Sequence, residues 1–405
     1  MKKILIVGAG EEQKIAIELA KRMGLFVIAV DGNPKAVGLR AADVGISVDI
    51  KDVDELVRVG RRYQVKGIFC HAVDIPVVIA KAAKALGLPG MDPEVADRAT
   101  NKLKRISCFT RNGVPCPKFE VARTIKEAEK NAKTLGFPVV IKPIDNAGAR
   151  GVVKIRNVAQ LRSSFKETLS YSKKKTVLTE QYIAGRGIST ESVVYGGKIY
   201  HTGFGDRNYS RNREFYPYFV EDGHSVPSTL SERDKKRVLK TVERAINALG
   251  ITWGVAKGDI IINKDNAYVL EMAPRTSGGW FAAGTVPIAT GVNIIRPLIK
   301  MSLGEPLDEG DVRPRFSKAS CQRYVIPTKS GYFLGFSGIA EARRMTGVKM
   351  FVLFKKPKRG ELIRKSTNHS ERYGQLIAEG SNVPDAVRKC ERAIRMIRIR
   401  LKAVA

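Results

Sequence analysis

Cysteine is sparse and scattered in this 405-residue chain: Cys70, Cys108, Cys116, Cys321 and Cys390, with no CxxC pair among them. That spacing argues against a disulfide framework or a zinc site and fits a reducing compartment. The four histidines, His71, His201, His224 and His369, include no pair at metal-ligand spacing. No uncharged apolar run approaches the roughly eighteen residues of a membrane span. The run at 3–7 stops at Gly8, too short for a signal-peptide core. The expectation is a cytoplasmic protein without a membrane partner. Aromatic residues are only 7% of the chain and do not interleave with basic runs into a base-stacking platform, so no specific nucleic-acid partner is expected. Nothing supplies a Ser-His or Cys-His nucleophile, so no covalent enzyme intermediate is expected. Acidic residues are the minority, 40 against 71 basic, for a net charge of +31. Such a surplus attracts polyanions, acidic ligands or anionic surfaces without choosing among them.

What is present is ordinary globular composition, 43% apolar and 27% charged, in a chain long enough for two or three domains. Residues 3–7 read as a strand, followed by the turn Gly8-Ala9-Gly10, a helical pattern and a second strand, Phe26-Val27-Ile28-Ala29-Val30, ending in Asp31. This is a right-handed βαβ unit with a parallel sheet. It continues through helix 53–63, strand 67–70 and helix 75–86. The Gly8-x-Gly10 turn with Asp31 is similar to a dinucleotide fingerprint, but Gln13 stands where the third glycine belongs, which favours a turn that merely opens the sheet. A new pattern begins at Ala99-Thr100-Asn101-Lys102, leading a helix to Asn112-Gly113. Helix 126–135 then runs into an apolar strand carrying Lys142 at its end, and the loop 146–151 offers small residues whose amides suit phosphate oxygens. Helix 158–171 and strand 176–183 follow.

Residues 258–272 read as a β-hairpin. With a three-residue loop from Lys264 to Asn266, Asp259 falls opposite Glu271 and both point to one face. Two facing carboxylates, with Arg275 just beyond, suit a magnesium held between protein oxygens and substrate phosphates. The stretch from His201 to His224, rich in arginine and tyrosine including Arg207 and Tyr209, suits a small acidic or aromatic substrate lying over the phosphates.

Taken in order, Lys102 with Gly113-Val114-Pro115, Lys142 behind its strand, the glycine loop, Glu180-x-x-Ile183, and Asp259…Glu271-x-x-x-Arg275 resemble the ATP-grasp superfamily. The likeness is to its carboxylate–amine ligase and biotin-carboxylase-like branch, and it covers nearly the whole chain. It implies an α/β and α+β multidomain protein: a Rossmann-like parallel-sheet domain at 1–98, an ATP-grasp domain of two subdomains at 99–304, and a small α+β domain at 305–405. It further implies ATP and Mg2+ or Mn2+ as cofactors, small-molecule carboxylic acid and amine substrates, and a homodimer. Lys102 and Lys142 then contact nucleotide phosphates, with Lys142 also reaching the adenine side. The loop residues Gly148, Arg150 and Gly151 close over them. Residues 180–183 form the adenine hinge through Glu180, Tyr182 and Ile183, and Glu191 touches substrate or metal. Asp259 and Glu271 hold the metal, and Arg275 with Lys142 is catalytic. Two positions depart from the pattern: Gly187 stands where such ligases often carry a ribose-binding glutamate, and Ala273 where many have a metal-shell asparagine. The alternatives are an ATP-binding protein without turnover, or a polyanion-binding protein using the net charge, the run Lys355-Lys356-Pro357-Lys358-Arg359 and the basic side of a helix at 384–399.

Overall fold

The computed structural model describes residues 1–403. Four parallel strands open the chain, in the spatial order Val44–Ser47, Phe26–Asp31, Lys3–Val7, Gly67–Cys70. Their uninterrupted apolar sequences, such as Ile4 to Val7 and Val27 to Val30, are fully buried, as a sheet covered on both faces requires. The glycine turn behaves as a structural feature: Asp31 Oδ2 accepts the Ala9 amide at 2.7 Å and Oδ1 accepts that of Asn33 at 2.8 Å. The acid that a dinucleotide ribose would need is committed to the turn itself.

The helix expected to follow Ala99-Thr100-Asn101-Lys102 spans Lys102–Arg111, and a separate helix, Pro93–Thr100, precedes it across Asn101. The Asn101 side chain caps the Lys102–Arg111 helix by accepting from the Leu103 and Lys104 amides, so its own backbone leaves the helical region. The boundary expected at 98 therefore falls inside a helix. A four-stranded antiparallel sheet follows, ordered Phe119–Ala122, Val177–Gln181, Val139–Pro143, Val153–Ile155, and packs on helices Ile125–Leu135 and Val158–Ser170. A capping box between Thr124 and Glu127 starts the first of these helices.

The largest sheet has eight strands, ordered Ala267–Ala273, Trp253–Ile262, Arg186–Tyr195, Lys198–Arg207, His224–Val226, Ala319–Val325, Gly374–Gly380, Val348–Leu353. It runs across the boundary expected at 304. Helix Glu232–Leu249 covers one end of it with Val238, Val242, Ile246 and Leu249. Helix Ile295–Ser302 joins it to the N-terminal layer in a core shared with Ile4, Ile17 and Phe281.

The C-terminal helix is shorter than the expected 384–399: it spans Val383–Met396, and Arg398–Lys402 is a strand paired with Gly331–Ser337. The reason is periodicity. Ile397, Ile399 and Leu401 alternate with Arg398, Arg400 and Lys402, a two-residue repeat that a sheet satisfies and a helix does not. Among the described residues no helix is long and apolar enough to cross a membrane.

Gly223 joins the residues before strand His224–Val226 to the sheet. Its φ is +89°, and a Cβ there would lie 2.1 Å from the Gln322 carbonyl oxygen. Gly223→Ala is expected to lower stability by about 2 kcal/mol or more, read from urea unfolding, because strain and overlap add; an unchanged midpoint would contradict this packing.

Candidate active site

The four-stranded and eight-stranded sheets face each other across a cavity of about 340 Å³. Lys102, Lys142, Gly148, Arg150, Glu180, Tyr182, Ile183, Asp259, Glu271 and Arg275 all line it. Gly151 and Glu191 do not. Gly151, at φ +70°, lies against Tyr171 and Pro143 and turns the loop rather than facing the cavity. Glu191 stands opposite Lys257 on the face that carries Asp259, but it is buried beneath Ser277, whose amide its carboxylate accepts at 2.6 Å.

The hairpin delivers its two acids as expected, but by another route. Its loop holds four residues, 263–266, which alone would set Asp259 opposite Leu270. A bulge between the 259 and 260 pairings shifts the register by one residue, restoring Asp259 opposite Glu271. Lys257, two residues before Asp259 and so on the same strand face, reaches Asp259 Oδ2 at 2.5 Å. Arg207 Nη1 lies at 2.5 Å from Asp259 Oδ1 and Nη2 at 2.9 Å from Glu221. Desolvation would raise both cavity acids, but cations outweigh it: Arg207 and Lys257 hold Asp259 down, and Lys257, Arg105, Arg275 and Lys102 hold Glu271 well below the usual carboxylate range. Both stay ionised at neutral pH.

On the facing sheet, Lys142 pairs with Glu180 at 2.6 Å across adjacent strands, both side chains largely buried. Lys102, at the first turn of its helix, meets the Asn146 carbonyl of the glycine loop, and the loop is tied to the C-terminal part by the His369 amide donating to Gly148 O at 3.0 Å. Burial brings the Lys102 ammonium down to about 8. In all, seven cationic side chains (Lys102, Arg105, Lys142, Arg150, Arg207, Lys257, Arg275) face three carboxylates (Glu180, Asp259, Glu271). The surplus of positive charge suits a polyanion.

A second, smaller cavity of about 190 Å³ shares Arg207, Lys257, Arg275 and His369 with the first and continues over Ser277, Gly278 and Gly279. The N-terminal layer builds its floor. Glu12, two residues past the glycine turn, accepts the Gly279 and Trp280 amides at 3.0 and 2.7 Å. His71 Nδ1 and the Ala72 amide both meet Thr276 Oγ1, at 2.9 and 2.8 Å. Asp74 Oδ1 lies 3.3 Å from Arg275 Nε and orients it. None of these partners is detectable from sequence spacing, because they lie some 200 residues or more from the residues they hold. Lys257 and Arg105 could have been found, the first by strand alternation with Asp259, the second one helical turn after Lys102.

Residues 99–279 match the family described as ATP-grasp domain, and residues 323–402 match L-amino acid ligase C-terminal domain 2. The chain thus contains an ATP-grasp domain. Behind its ATP-grasp domain it carries the C-terminal domain type of the L-amino acid ligases. It is 26% identical to the uncharacterized protein y4rH of Sinorhizobium fredii over 404 residues, covering 97% of this chain and 82% of that protein. It is 25% identical over 412 residues to the formate-dependent phosphoribosylglycinamide formyltransferase of Saccharolobus solfataricus, covering 98% and 97%. Among solved structures, an L-amino acid ligase from Bacillus licheniformis superposes with a TM-score of 0.85 at 23% identity, over 100% of this chain and 99% of that one.

Burial pushes the carboxyls of Glu12 and Glu191 up to about 7 each, above 4.5, despite the amides they accept. A carboxyl raised in the folded state contributes stability that is present below its unfolded value and lost as pH rises through the folded one. Folding stability should therefore fall between about pH 4.5 and pH 7 through these two groups. Glu191→Gln, which keeps an acceptor for Ser277, should flatten that slope in urea titrations across the range; an unaltered slope would remove Glu191 from this role.

Proposed function

We propose that the protein is an ATP-dependent ligase that activates a small carboxylic acid for attack by an amine. The observation that carries this reading is the pair of joined cavities: a cation-rich chamber sized for a nucleotide opens, past Arg275, onto a smaller chamber with a glycine floor. The triphosphate belongs with Lys102, Lys142 and the 146–150 loop, and the adenine with the 180–183 segment. In the structure Lys142 pairs with Glu180 Oε1 at 2.6 Å, which leaves the carboxylate further lone pairs with which to accept from an exocyclic amine.

A magnesium ion fits the donor set. Asp259 and Glu271 are ionised oxygen ligands facing one cavity, and no group of three or more possible ligands exists among the described residues. Two carboxylates completed by phosphates and water are the usual magnesium shell. When bound, the ion screens phosphate charge; Ala273 then leaves coordination to these two acids.

The acid lies in the smaller chamber against Ser277 and Gly278. Its carboxylate oxygen bonds to the γ-phosphorus as the bridging P–O bond breaks, and the electron pair leaves with ADP. The amine nitrogen then bonds to the acyl carbon, the C–O bond to phosphate breaks, and the nitrogen gives up a proton. Arg275 lines both chambers and stabilises the charge passing between the two anions. Its guanidinium is fixed in advance by Asp74, so little reorganisation is needed at the moment of transfer. The 146–151 loop excludes water from the acyl phosphate. The free cysteines fit a cytoplasmic setting.

ADP release measured against a panel of carboxylic acids and amines tests the reading: one acid and amine pair should stimulate it, and stimulation by none while ATP still binds would reduce the protein to a nucleotide binder. Glu271→Gln should cut magnesium-dependent turnover by about 100-fold or more with the fold intact; near-normal turnover would take Glu271 out of the metal shell. Because Lys102 titrates near 8 in the free protein, ATP affinity should weaken as pH climbs through about 8, and Lys102→Gln should abolish that dependence in calorimetric titrations.

A further inference from the structure

The three-stranded sheet of the C-terminal third, ordered Leu362–Ile363, Gly331–Ser337, Arg398–Lys402, buries Phe333 and Ile363 on its inner face. Its other face is uncovered. Tyr332 stands in register with Leu362 on one side and Lys402 on the other, so these three side chains share that face. Leu334 joins them from the same strand. Tyr332, Leu334 and Leu362 are 40%, 36% and 43% exposed, three of the eight large apolar side chains left that open among the described residues. Arg398 and Arg400 alternate with the partly buried Ile399 and Leu401, which puts them on the same face as Lys402.

A basic loop lies beside this face. The run Lys355-Lys356-Pro357-Lys358-Arg359 leads into strand Leu362–Ile363, and its end is laid along the central strand: the Gly360 amide donates to Phe333 O at 2.7 Å and the Phe333 amide to Glu361 O at 2.8 Å. Residues 355–359 and 398–402 carry seven basic side chains and no acid, so more than a fifth of the net charge of +31 is concentrated in ten residues. All seven basic side chains are exposed, and none has an ion-pair partner among the described residues. The neighbouring acid, Glu361, spends its carboxylate on the Lys358 amide at 2.9 Å.

Unpaired cations around open leucines and a tyrosine complement the surface of an anionic bilayer, which offers phosphates to the first and the headgroup–acyl boundary to the second. Single-stranded nucleic acid fits less well, because two of the three apolar side chains are leucines, with no ring on which a base stacks. A second copy docked through a two-fold contact would set the cationic strands like against like. We propose that this face binds the surface of an anionic membrane, with Tyr332, Leu334 and Leu362 entering the interface and the two groups of cations meeting lipid phosphates. Surface association needs no spanning helix. It departs from the expectation of no membrane partner, which rested on spanning segments alone. None of these residues lines the nucleotide-sized cavity or the smaller chamber, so the proposal stands apart from the ligase reading.

Flotation of the full chain with lipid vesicles tests this. Phosphatidylcholine vesicles containing about 30% phosphatidylglycerol should carry the protein up the gradient, and pure phosphatidylcholine vesicles should not. The variant Lys355→Gln/Lys356→Gln/Lys358→Gln/Arg359→Gln, confined to an exposed loop, should weaken partitioning about 100-fold or more, since each cation near such a surface contributes a factor of about five. Leu334→Ser/Leu362→Ser, which leaves the charge unchanged, should weaken it about tenfold. ATP affinity in solution should stay at the native value in both variants, which separates lost membrane binding from lost folding. No flotation with anionic vesicles, or flotation that survives the four glutamines, overturns the proposal. Flotation indifferent to the serine pair overturns it too, by reducing the face to a polyanion patch. Capture of oligouridylate without capture of vesicles overturns it in favour of nucleic acid.

Discussion

The active site depends on keeping two carboxylates charged where protein replaces much of the surrounding water. Asp259 is buried and Glu271 half-buried, and desolvation alone would push both toward the neutral form. Arg207, Lys257, Arg105 and Arg275 prevent this, and each comes from a different element: strand Lys198–Arg207, strand Trp253–Ile262, helix Lys102–Arg111, and the segment after strand Ala267–Ala273. Those cations are in turn tolerable together because Glu221, Asp259 and Asp74 divide them. Charge balance therefore couples the elements around the cavity, and removing one member leaves its partner buried and unpaired, the costly case for a buried ion pair.

The N-terminal layer contributes through the same logic. Its glycine turn brings Glu12 beneath the amides of Gly279 and Trp280, and the segment after strand Gly67–Cys70 supplies His71, Ala72 and Asp74, which grip Thr276 and Arg275. His71 is wholly buried and pushed down to about 4 by that burial, so it serves as a neutral hydrogen-bonding post. A layer that resembles a nucleotide-binding unit thus acts on the site by holding the floor of its smaller chamber.

Much of this was legible in the sequence where the signal is local. The strand and helix periods of the first layer, the lysine behind an apolar strand and the paired acids of the hairpin each rest on a few neighbouring residues, and the structure brings them together. What could not be read depends on long-range geometry or on one-residue shifts. The four-residue loop and the bulge beside Asp259 offset each other in register, and neither leaves a mark in the local sequence. The end of the C-terminal helix is masked because a helical stripe through Val387, Cys390 and Ile394 meets Ile397 before the two-residue repeat becomes visible. Glu191 shares the face of Lys257 and Asp259, and what keeps it out of the cavity is the cover by Ser277, 86 residues away, which no local pattern reveals.

The wide sheet carries a consequence for how such a protein can be divided. Strand His224–Val226 bonds directly to Ala319–Val325, so the backbone ladder passes without a break from the nucleotide-binding half to the C-terminal third. Cutting the chain ahead of that third would expose a raw ladder edge ready to pair with another copy. Recombination that swaps this segment between relatives must therefore import a strand of matching length and stagger, which makes the C-terminal third a welded part rather than an exchangeable cassette.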